Sequence, residues 1–329
     1  MATTPRTVDV PSLVAEAREG RSRAVARLIS LVEDGHPALP EVMAALAPHS
    51  GGAHVIGLTG SPGVGKSTTT AALIAAFRDR GKRVAVLAVD PSSPFSGGAL
   101  LGDRIRMEQH ATDSGVFIRS VASRGHLGGL SFATPQALRV LDAAGFDVVL
   151  VETVGVGQSE VEVAARADTT VVIVAPGMGD GIQAAKAGIL EIGDLFVVNK
   201  ADRDGADDTV RDLRHMIQLG NRERSVDWRT PVVRTVASRG DGIPELVESL
   251  EAHRNWLGES GALSTRRSER ARSEIEAIAL AELRRRLGAE GGLVSADLAS
   301  AVASGETDVY AAASQVIERV TGRAAPPSD

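Results

Sequence analysis

The chain has 329 residues, of which 43% are hydrophobic and 24% charged, with a formal net charge of −6 and no cysteine. This length and composition suit one large α/β domain with additions, and they exclude disulfides, thiolate metal sites and thiol catalysis. The negative charge and the 3% aromatic content disfavour a nucleic-acid surface. The sequence shows no secretory leader and no apolar stretch of about 18 residues. We therefore expect a cytoplasmic protein that binds neither nucleic acid nor membrane.

Three zones follow one another along the chain. Apolar residues at helical spacing predict two short helices in residues 9–47. Short β-branched runs then alternate with helical segments, and several runs are apolar throughout, as in strands buried on both faces of a parallel sheet. The predicted strands are 54–59, 84–89, 116–120, 147–152, 170–175, 195–199 and 231–235. Residues 262–323 have a wholly helical pattern.

The alternation of strands and helices predicts an α/β fold with a doubly wound, mostly parallel sheet. The predicted domains are an N-terminal helical extension at 1–50, a nucleotide-binding core at 51–258 and a C-terminal helical extension at 259–329.

A glycine-rich turn follows the first predicted strand. It reads GSPGVGKS and fits G-x-x-x-x-G-K-S/T between a strand and a helix, which predicts a P-loop NTPase core. We expect its backbone N–H groups to bind phosphate oxygens, Lys66 to contact the β- and γ-phosphates, and Ser67 to coordinate Mg²⁺. A chance match in an ordinary turn is the alternative. The predicted nucleotide-binding residues here are Gly60, Ser61, Pro62, Gly63, Val64, Gly65, Lys66, Ser67 and Thr68.

Two acidic residues at strand ends are candidate metal ligands. Asp90 ends the second predicted strand, at the edge where open α/β sheets bind ligands; an Asp before Pro91 also suits an N-cap or a turn. Glu152 ends an apolar strand and opens E-x-x-G, where most switch GTPases have D-x-x-G. We expect Glu152 to hold Mg²⁺ through water and the Gly155 N–H to contact the γ-phosphate.

Two further polar residues have open alternatives. Asp103 lies in a Gly-rich loop that suits a first switch region, and it is either a fourth metal ligand or half of a surface pair with Arg104. Gln158 is placed to orient the attacking water, or it is a solvated loop residue. The predicted catalytic residues are Lys66, Glu152 and Gln158, and the predicted metal ligands are Ser67, Asp90, Asp103 and Glu152.

The sequence NKAD follows another apolar strand and matches N-K-x-D. Asp202 can accept hydrogen bonds from guanine N1–H and the exocyclic amine, a donor pair that adenine lacks, so we predict guanine specificity. We expect Asn199 to brace the loop and contact guanine N7, and the Lys200 stem to cover the base. The backbone N–H of Ala237 is expected to bind guanine O6. Val236 precedes it where Ser is usual, so we expect no hydroxyl brace there.

Five segments resemble one protein family. On these segments the chain resembles the methylmalonyl-CoA mutase-associated GTPases, which are cobalamin-linked P-loop GTPases with E-x-x-G in place of D-x-x-G. Members have also been called arginine/ornithine (LAO/AO) transport kinases. The resemblance spans essentially the whole chain, including both helical extensions. The segments are GSPGVGKST at 60–68, VDPSSPFSGGALLGDRIRM at 89–107, VETVGVGQSE at 151–160, PGMGDGIQAAKAGI at 176–189 and NKAD at 199–202.

This resemblance implies a client protein. It implies a chaperone and gatekeeper that loads adenosylcobalamin into an acyl-CoA mutase, methylmalonyl-CoA mutase first, and protects that enzyme. GTP or GDP and Mg²⁺ would bind the chain itself, adenosylcobalamin only the partner mutase, and cobalamin adenosyltransferase is a further candidate partner. A third switch at 177–186 would relay the nucleotide state through Asp180, Gln183 and Lys186, although its pattern alone indicates a mobile turn.

The resemblance also implies a homodimer joined by the C-terminal helices, whereas their apolar spacing alone favours packing within one chain. Two other functions are alternatives. A GTP-dependent metallochaperone usually carries Cys/His clusters, and this chain has no cysteine and seven scattered histidines. A small-molecule kinase needs a base on an acceptor alcohol, and the sequence has no such signature. No arginine finger is identifiable, so we expect slow hydrolysis that a partner accelerates.

Overall fold

The computed structural model describes residues 8–91, 112–123, 133–153, 166–177, 192–221, 228–288 and 294–321. The chain forms two compact units, Met1–Arg267 and Ser268–Asp329. Within the described ranges, no helix has both the length and the apolarity needed to cross a bilayer. The predicted domain limits at 50 and 258 stay predictions.

The first unit contains one seven-stranded sheet in which every described pair of strands is parallel. The strand order is β3-β2-β4-β1-β5-β6-β7. Strands β2 to β4 lie on one side of β1 and β5 to β7 on the other, so a crevice opens at the carboxyl ends of β1 and its neighbours. The predicted doubly wound sheet is confirmed. The strands are β1 (His54–Thr59), β2 (Val84–Pro91), β3 (Val116–Ser123), β4 (Val148–Thr153), β5 (Thr169–Val174), β6 (Leu195–Asn199) and β7 (Val232–Thr235).

Helices cover both faces of the sheet. The described helices of this unit are α1 (Val10–Arg18), α2 (Ser22–Glu33), α3 (Leu39–Leu46), α4 (Lys66–Asp79), α5 (Ala133–Ala143), α6 (Ala206–Asn221) and α7 (Ile243–Glu259), and α8 (Ala262–Gly288) begins in it. The prediction of two N-terminal helices was wrong, because the structure has three. Pro40 suggested a break, but it lies in the first turn of α3, where proline removes no intrahelical hydrogen bond.

Alternate residues of each strand enter opposite cores. Val55 of β1 is buried with helices α1 to α3 and α5, whereas Ile56 and Leu58 are buried with α4 and α7. Leu87 and Val86 of β2 divide in the same way. Because both faces are covered, the strands read as continuous apolar runs in the sequence.

A charged cluster lies at the amino-terminal edge of the sheet, opposite the crevice. We call it the basal cluster, and it consists of Asp168, Asp194, Arg266 and Arg267. Both aspartates directly precede strands and are almost fully buried. Arg267 Nη2 lies 2.8 Å from Asp168 Oδ2, and the Arg266 guanidinium contacts both Asp194 oxygens at 2.8 and 3.0 Å. These paired hydrogen bonds join the first turns of α8 to β5 and β6.

Two buried histidines adjoin the basal cluster. The Thr169 hydroxyl lies 2.7 Å from His54 Nε2 and 2.8 Å from His253 Nδ1. Burial lowers the pKa of His54 to about 3 and that of His253 to about 4, and it outweighs the nearby aspartates, which raise both values. The Trp228 and Trp256 rings lie 4.7 and 5.6 Å from the His253 ring. Both histidines are therefore neutral parts of the core.

The second unit contains helices only among its described residues. They are the remainder of α8, then α9 (Ala296–Ser304) and α10 (Val309–Thr321). The Ser295 hydroxyl caps α9 by accepting a hydrogen bond from Leu298 N at 3.2 Å, and Gly305, with φ of 79°, follows its last turn. The helical pattern predicted for this segment is confirmed.

Candidate nucleotide site

The turn between β1 and α4 has a backbone that only glycine can supply at two positions. Gly60 and Gly65 have φ of 144° and 100°. A Cβ added at Gly60 would lie 2.1 Å from Ile173 O, and one at Gly65 would lie 2.3 Å from Asn199 Nδ2. No described side chain caps α4 at Gly65, so the N–H groups of its first turn are directed at the crevice, as anion binding requires.

Lys66, the first residue of α4, spans this turn. Its Nζ donates hydrogen bonds to Gly60 O at 2.6 Å and Ser61 O at 3.2 Å, and the residue is buried. The ammonium group therefore lies inside the phosphate loop, as the motif predicts. Its contact with a nucleotide stays a prediction.

Glu152 of β4 meets two hydroxyl groups of α4. Ser67 Oγ donates to Glu152 Oε1 at 2.5 Å, and Thr70 Oγ1 lies 2.9 Å from Oε2. The carboxylate is buried, since Glu152 is only 2% exposed. Hydroxyl and carboxylate oxygens are ligands that Mg²⁺ prefers, and Asp90 lies nearby on β2, where Val89 pairs with Thr153. This set of donors fits Mg²⁺.

Several predicted site residues lie outside the described part of the chain. For Asp90 the backbone is described but the side chain is not. The roles predicted for all of them stay predictions. The residues outside the described ranges are Asp103, Gly155, Gln158, Asp180, Gln183 and Lys186.

Asn199 connects the phosphate loop to the loop after β7. Its Nδ2 donates to Val64 O at 2.8 Å, and its Oδ1 accepts from Thr235 Oγ1 and Ala237 N, each at 3.1 Å. Lys200 adopts a left-handed backbone, with φ of 56°, and donates to Gly63 O at 2.6 Å. Asn199 therefore braces the loop as predicted, and Lys200 adds a second connection that the sequence did not predict.

Two expectations for the loop after β7 need correction. The hydroxyl brace predicted to be missing at Val236 is supplied one residue earlier by Thr235, which pairs with Asn199 across β6 and β7. The Ala237 N–H, expected to bind guanine O6, donates to Asn199 instead. Its use for O6 would require that hydrogen bond to be shared or exchanged. The position of Thr235 beside Asn199 becomes visible only once the strands are aligned.

Asp202, the predicted reader of guanine, is partly exposed in the same region. Its side chain is 42% exposed, and its Oδ2 lies 3.7 Å from Arg239 Nη2. Arg239 also donates to Asp241 Oδ2 at 3.0 Å. Nearby, Thr68, Ala237 and other residues of α4 and α7 line an open groove of about 420 Å³. The phosphate loop, the acidic strand end and the N-K-x-D loop thus lie at one edge of the sheet.

The model of the family described as "Methylmalonyl Co-A mutase-associated GTPase MeaB" matches residues 25–291. This chain belongs to that family. It is therefore a GTPase that binds guanine nucleotide, and the family resemblance found in the sequence is confirmed. For a MeaB-family GTPase, a P-loop, an acidic strand end and N-K-x-D at one sheet edge form the expected constellation.

Curated relatives agree with the MeaB assignment. A protein of Pyrococcus horikoshii named as a GTPase is 46% identical over 315 residues, which cover 95% of this chain and 99% of the relative. GTPase ArgK of Escherichia coli is 40% identical over 261 residues, 77% of this chain and 78% of its own. The mouse mitochondrial "Methylmalonic aciduria type A homolog" is 39% identical over 214 residues, 64% of this chain and 52% of its own.

A solved structure agrees as well. The crystal structure described as an LAO/AO transport system kinase superposes with a TM-score of 0.70 at 28% identity, covering 97% of this chain and 99% of that one. The kinase in that description belongs to the other protein. In this MeaB-family chain, the N-K-x-D loop and its connection to the phosphate loop are features of a GTPase.

Proposed function

We propose that this GTPase is a chaperone for an adenosylcobalamin-dependent acyl-CoA mutase, with methylmalonyl-CoA mutase as the first candidate. It gates the loading of the cofactor and protects the mutase from inactivation. The observation that carries the proposal is the match to a family described as mutase-associated over residues 25–291. The likeness to the mouse protein named for methylmalonic aciduria supports the same client.

The chemistry assigned to the site follows from its residues. Lys66 and the backbone N–H groups of the phosphate loop bind the β- and γ-phosphates and stabilise the charge that develops during transfer to water. Ser67 and Glu152, with Asp90 and Asp103, hold Mg²⁺, which when bound neutralises phosphate oxygens. Gln158 orients the attacking water. Asp202 reads guanine, and Asn199 keeps the two loops in register.

Hydrolysis by the isolated chain is slow in this proposal, because no arginine has been assigned to the transferring phosphoryl group. The mutase supplies the acceleration, and a third switch carrying Asp180, Gln183 and Lys186 relays the nucleotide state to it. Cobalamin adenosyltransferase is proposed as the donor of cofactor in the same assembly.

The decisive experiment measures GTP hydrolysis by the purified protein alone and with methylmalonyl-CoA mutase from the same organism, with ATP as the control nucleotide. A slow GTP-specific rate that rises severalfold with the mutase supports the proposal. A rate that the mutase leaves unchanged removes this client and directs the search to another acyl-CoA mutase or a metalloenzyme. The Lys66→Ala variant controls for contaminating hydrolysis in both samples.

We also propose that residues 259–329 form a dimerisation arm. Three large apolar residues of α8 lie on one side of that helix and are exposed: Ile275 (67%), Ile278 (44%) and Leu283 (36%). A second copy of the chain would cover them and gain roughly 25 cal/mol for each Å² of apolar surface buried.

Light scattering on the Ile275→Glu, Ile278→Glu double variant tests this arm. The mass should fall from dimer to monomer, while the Leu219→Glu variant, altered at an exposed apolar residue of α6, should remain dimeric. A double variant that keeps the dimer mass would refute the arm without affecting the choice of client.

A further inference from the structure

Thr70 contacts the acidic strand end but belongs to neither the phosphate loop nor the predicted metal ligands. It is fully buried on α4. Its Oγ1 lies 2.9 Å from Glu152 Oε2 and 3.0 Å from Lys66 O. Both neighbours can only accept, and the hydroxyl has one proton. The carboxylate is the charged acceptor, so the hydrogen bond to Glu152 is the stronger of the two.

Two hydroxyl groups therefore hold one carboxylate by its two oxygens. Ser67 and Thr70 are three residues apart on α4 and so lie on the same helix face. Ser67 occupies Oε1 and Thr70 occupies Oε2 of Glu152. Ser67 has a second predicted task as a metal ligand, in which its oxygen lone pair turns to Mg²⁺. Thr70 has no such task, so its bond to Oε2 persists whether or not the metal is bound.

Fixing one oxygen matters more for Glu152 than for an aspartate at this position. A glutamate side chain has three torsions where an aspartate has two, so it can direct its carboxylate in more ways, and ordering it costs more side-chain entropy. We propose that Thr70 is a positioning residue that holds Glu152 Oε2 and thereby keeps Oε1 directed at Ser67 and the metal position. Thr70 acts through Glu152 and touches neither nucleotide nor metal.

The neighbouring Thr69 provides a matched control. It is also fully buried, and its Oγ1 donates to Gly65 O at 3.0 Å, the same bond to the carbonyl four residues earlier that Thr70 makes to Lys66. Among the described contacts, only Thr70 also reaches Glu152. Replacing either threonine by valine keeps the shape and removes one hydroxyl, so a difference between the two variants reports the contact with Glu152.

The test measures the dissociation rate of a fluorescent GDP analogue as a function of free Mg²⁺, with the affinity in excess EDTA and the melting temperature as separate readouts. In the Thr70→Val variant, the Mg²⁺ concentration at half-maximal nucleotide retention should rise about tenfold, while the affinity in EDTA stays unchanged. A tenfold change corresponds to ~1.4 kcal/mol, close to the contribution of one hydrogen bond to a charged group. Thr70→Ser, which keeps the hydroxyl, and Thr69→Val should keep the wild-type midpoint.

Equal Mg²⁺ midpoints for Thr70→Val and Thr69→Val would overturn the proposal, as would a loss of affinity in EDTA of the same size as the loss in Mg²⁺. If Thr70→Val does not fold, Thr70→Ala removes the same hydroxyl without adding volume, and the same comparison decides. The measurement needs no mutase, so its outcome is independent of the client proposed above.

Discussion

The Asn199→Ala variant should separate two loops that the wild-type protein holds together. The substitution removes three hydrogen bonds, to Val64 O, Thr235 Oγ1 and Ala237 N, from a residue that is 3% exposed. Each buried polar group left without a partner costs about 1–3 kcal/mol. The Thr235 hydroxyl can rotate and water can enter the vacated space, which favours the lower part of that range. We expect the free energy of unfolding to fall by about 3–5 kcal/mol.

Urea denaturation in the absence of nucleotide measures this loss. The Thr235→Val variant removes one of the three hydrogen bonds and should lose about 1 kcal/mol. Thr209→Val is the control, because Thr209 is similarly buried and its hydroxyl bonds only locally, to Gly205 O at 2.9 Å. Repeating the series with saturating GDP should show less stabilisation by GDP in Asn199→Ala than in the wild type, since both loops that contact the nucleotide are loosened.

A loss below about 1 kcal/mol for Asn199→Ala, or one no larger than that of Thr235→Val, would refute the reasoning. Either result would mean that the phosphate loop and the loop after β7 keep their positions without Asn199. The side chain would then contact guanine only, and stabilisation by GDP would change while the stability without nucleotide would not.

Three further predictions concern charge. Lys66→Ala should lower the rate of GTP hydrolysis by at least about a hundredfold and leave the circular dichroism spectrum unchanged; near-normal turnover in the folded variant would remove the phosphate loop from the site. Asp202→Asn should weaken GTP binding by roughly 10- to 100-fold and reduce the preference over ATP in competition binding, so an unchanged preference would show that another residue reads the base. The lowered pKa values of His54 and His253, about 3 and about 4, mean that the unfolded chain binds protons that the folded chain does not once the pH falls below 6.5. The free energy of unfolding should therefore fall between pH 6.5 and about 4, by up to ~1.4 kcal/mol per pH unit for each histidine, and the double His→Gln variant should show a flatter profile.

Most of the fold could be predicted because its strands are buried on both faces. Continuous apolar runs such as that of β6 have no other stable environment in a chain of this composition, and the strands predicted at 54–59 and 195–199 have those bounds in the structure. The phosphate loop could be predicted for a local reason, since its glycines and Lys66 act within one turn of chain.

The contacts that sequence reasoning missed are long-range. Thr70 meets Glu152 across 82 positions, and Thr235 meets Asn199 across 36. Threonine has no distinctive spacing in a helix or strand, so its hydroxyl acquires a role only when another element brings an acceptor to it. The basal cluster is missed for the same reason, because Arg267 and Asp168 are separated by 99 positions.

The position of the two tryptophans gives the protein a selective optical probe. Trp228 and Trp256 are the only tryptophans in the chain, and both lie against His253, with Trp228 Nε1 donating to Asp194 O at 2.9 Å. The strands are parallel, so this pair lies at the end of the sheet away from the nucleotide crevice. Intrinsic fluorescence should therefore be unaffected by direct contact with guanine, and an emission change on GTP addition would report a signal that has travelled the length of the strands.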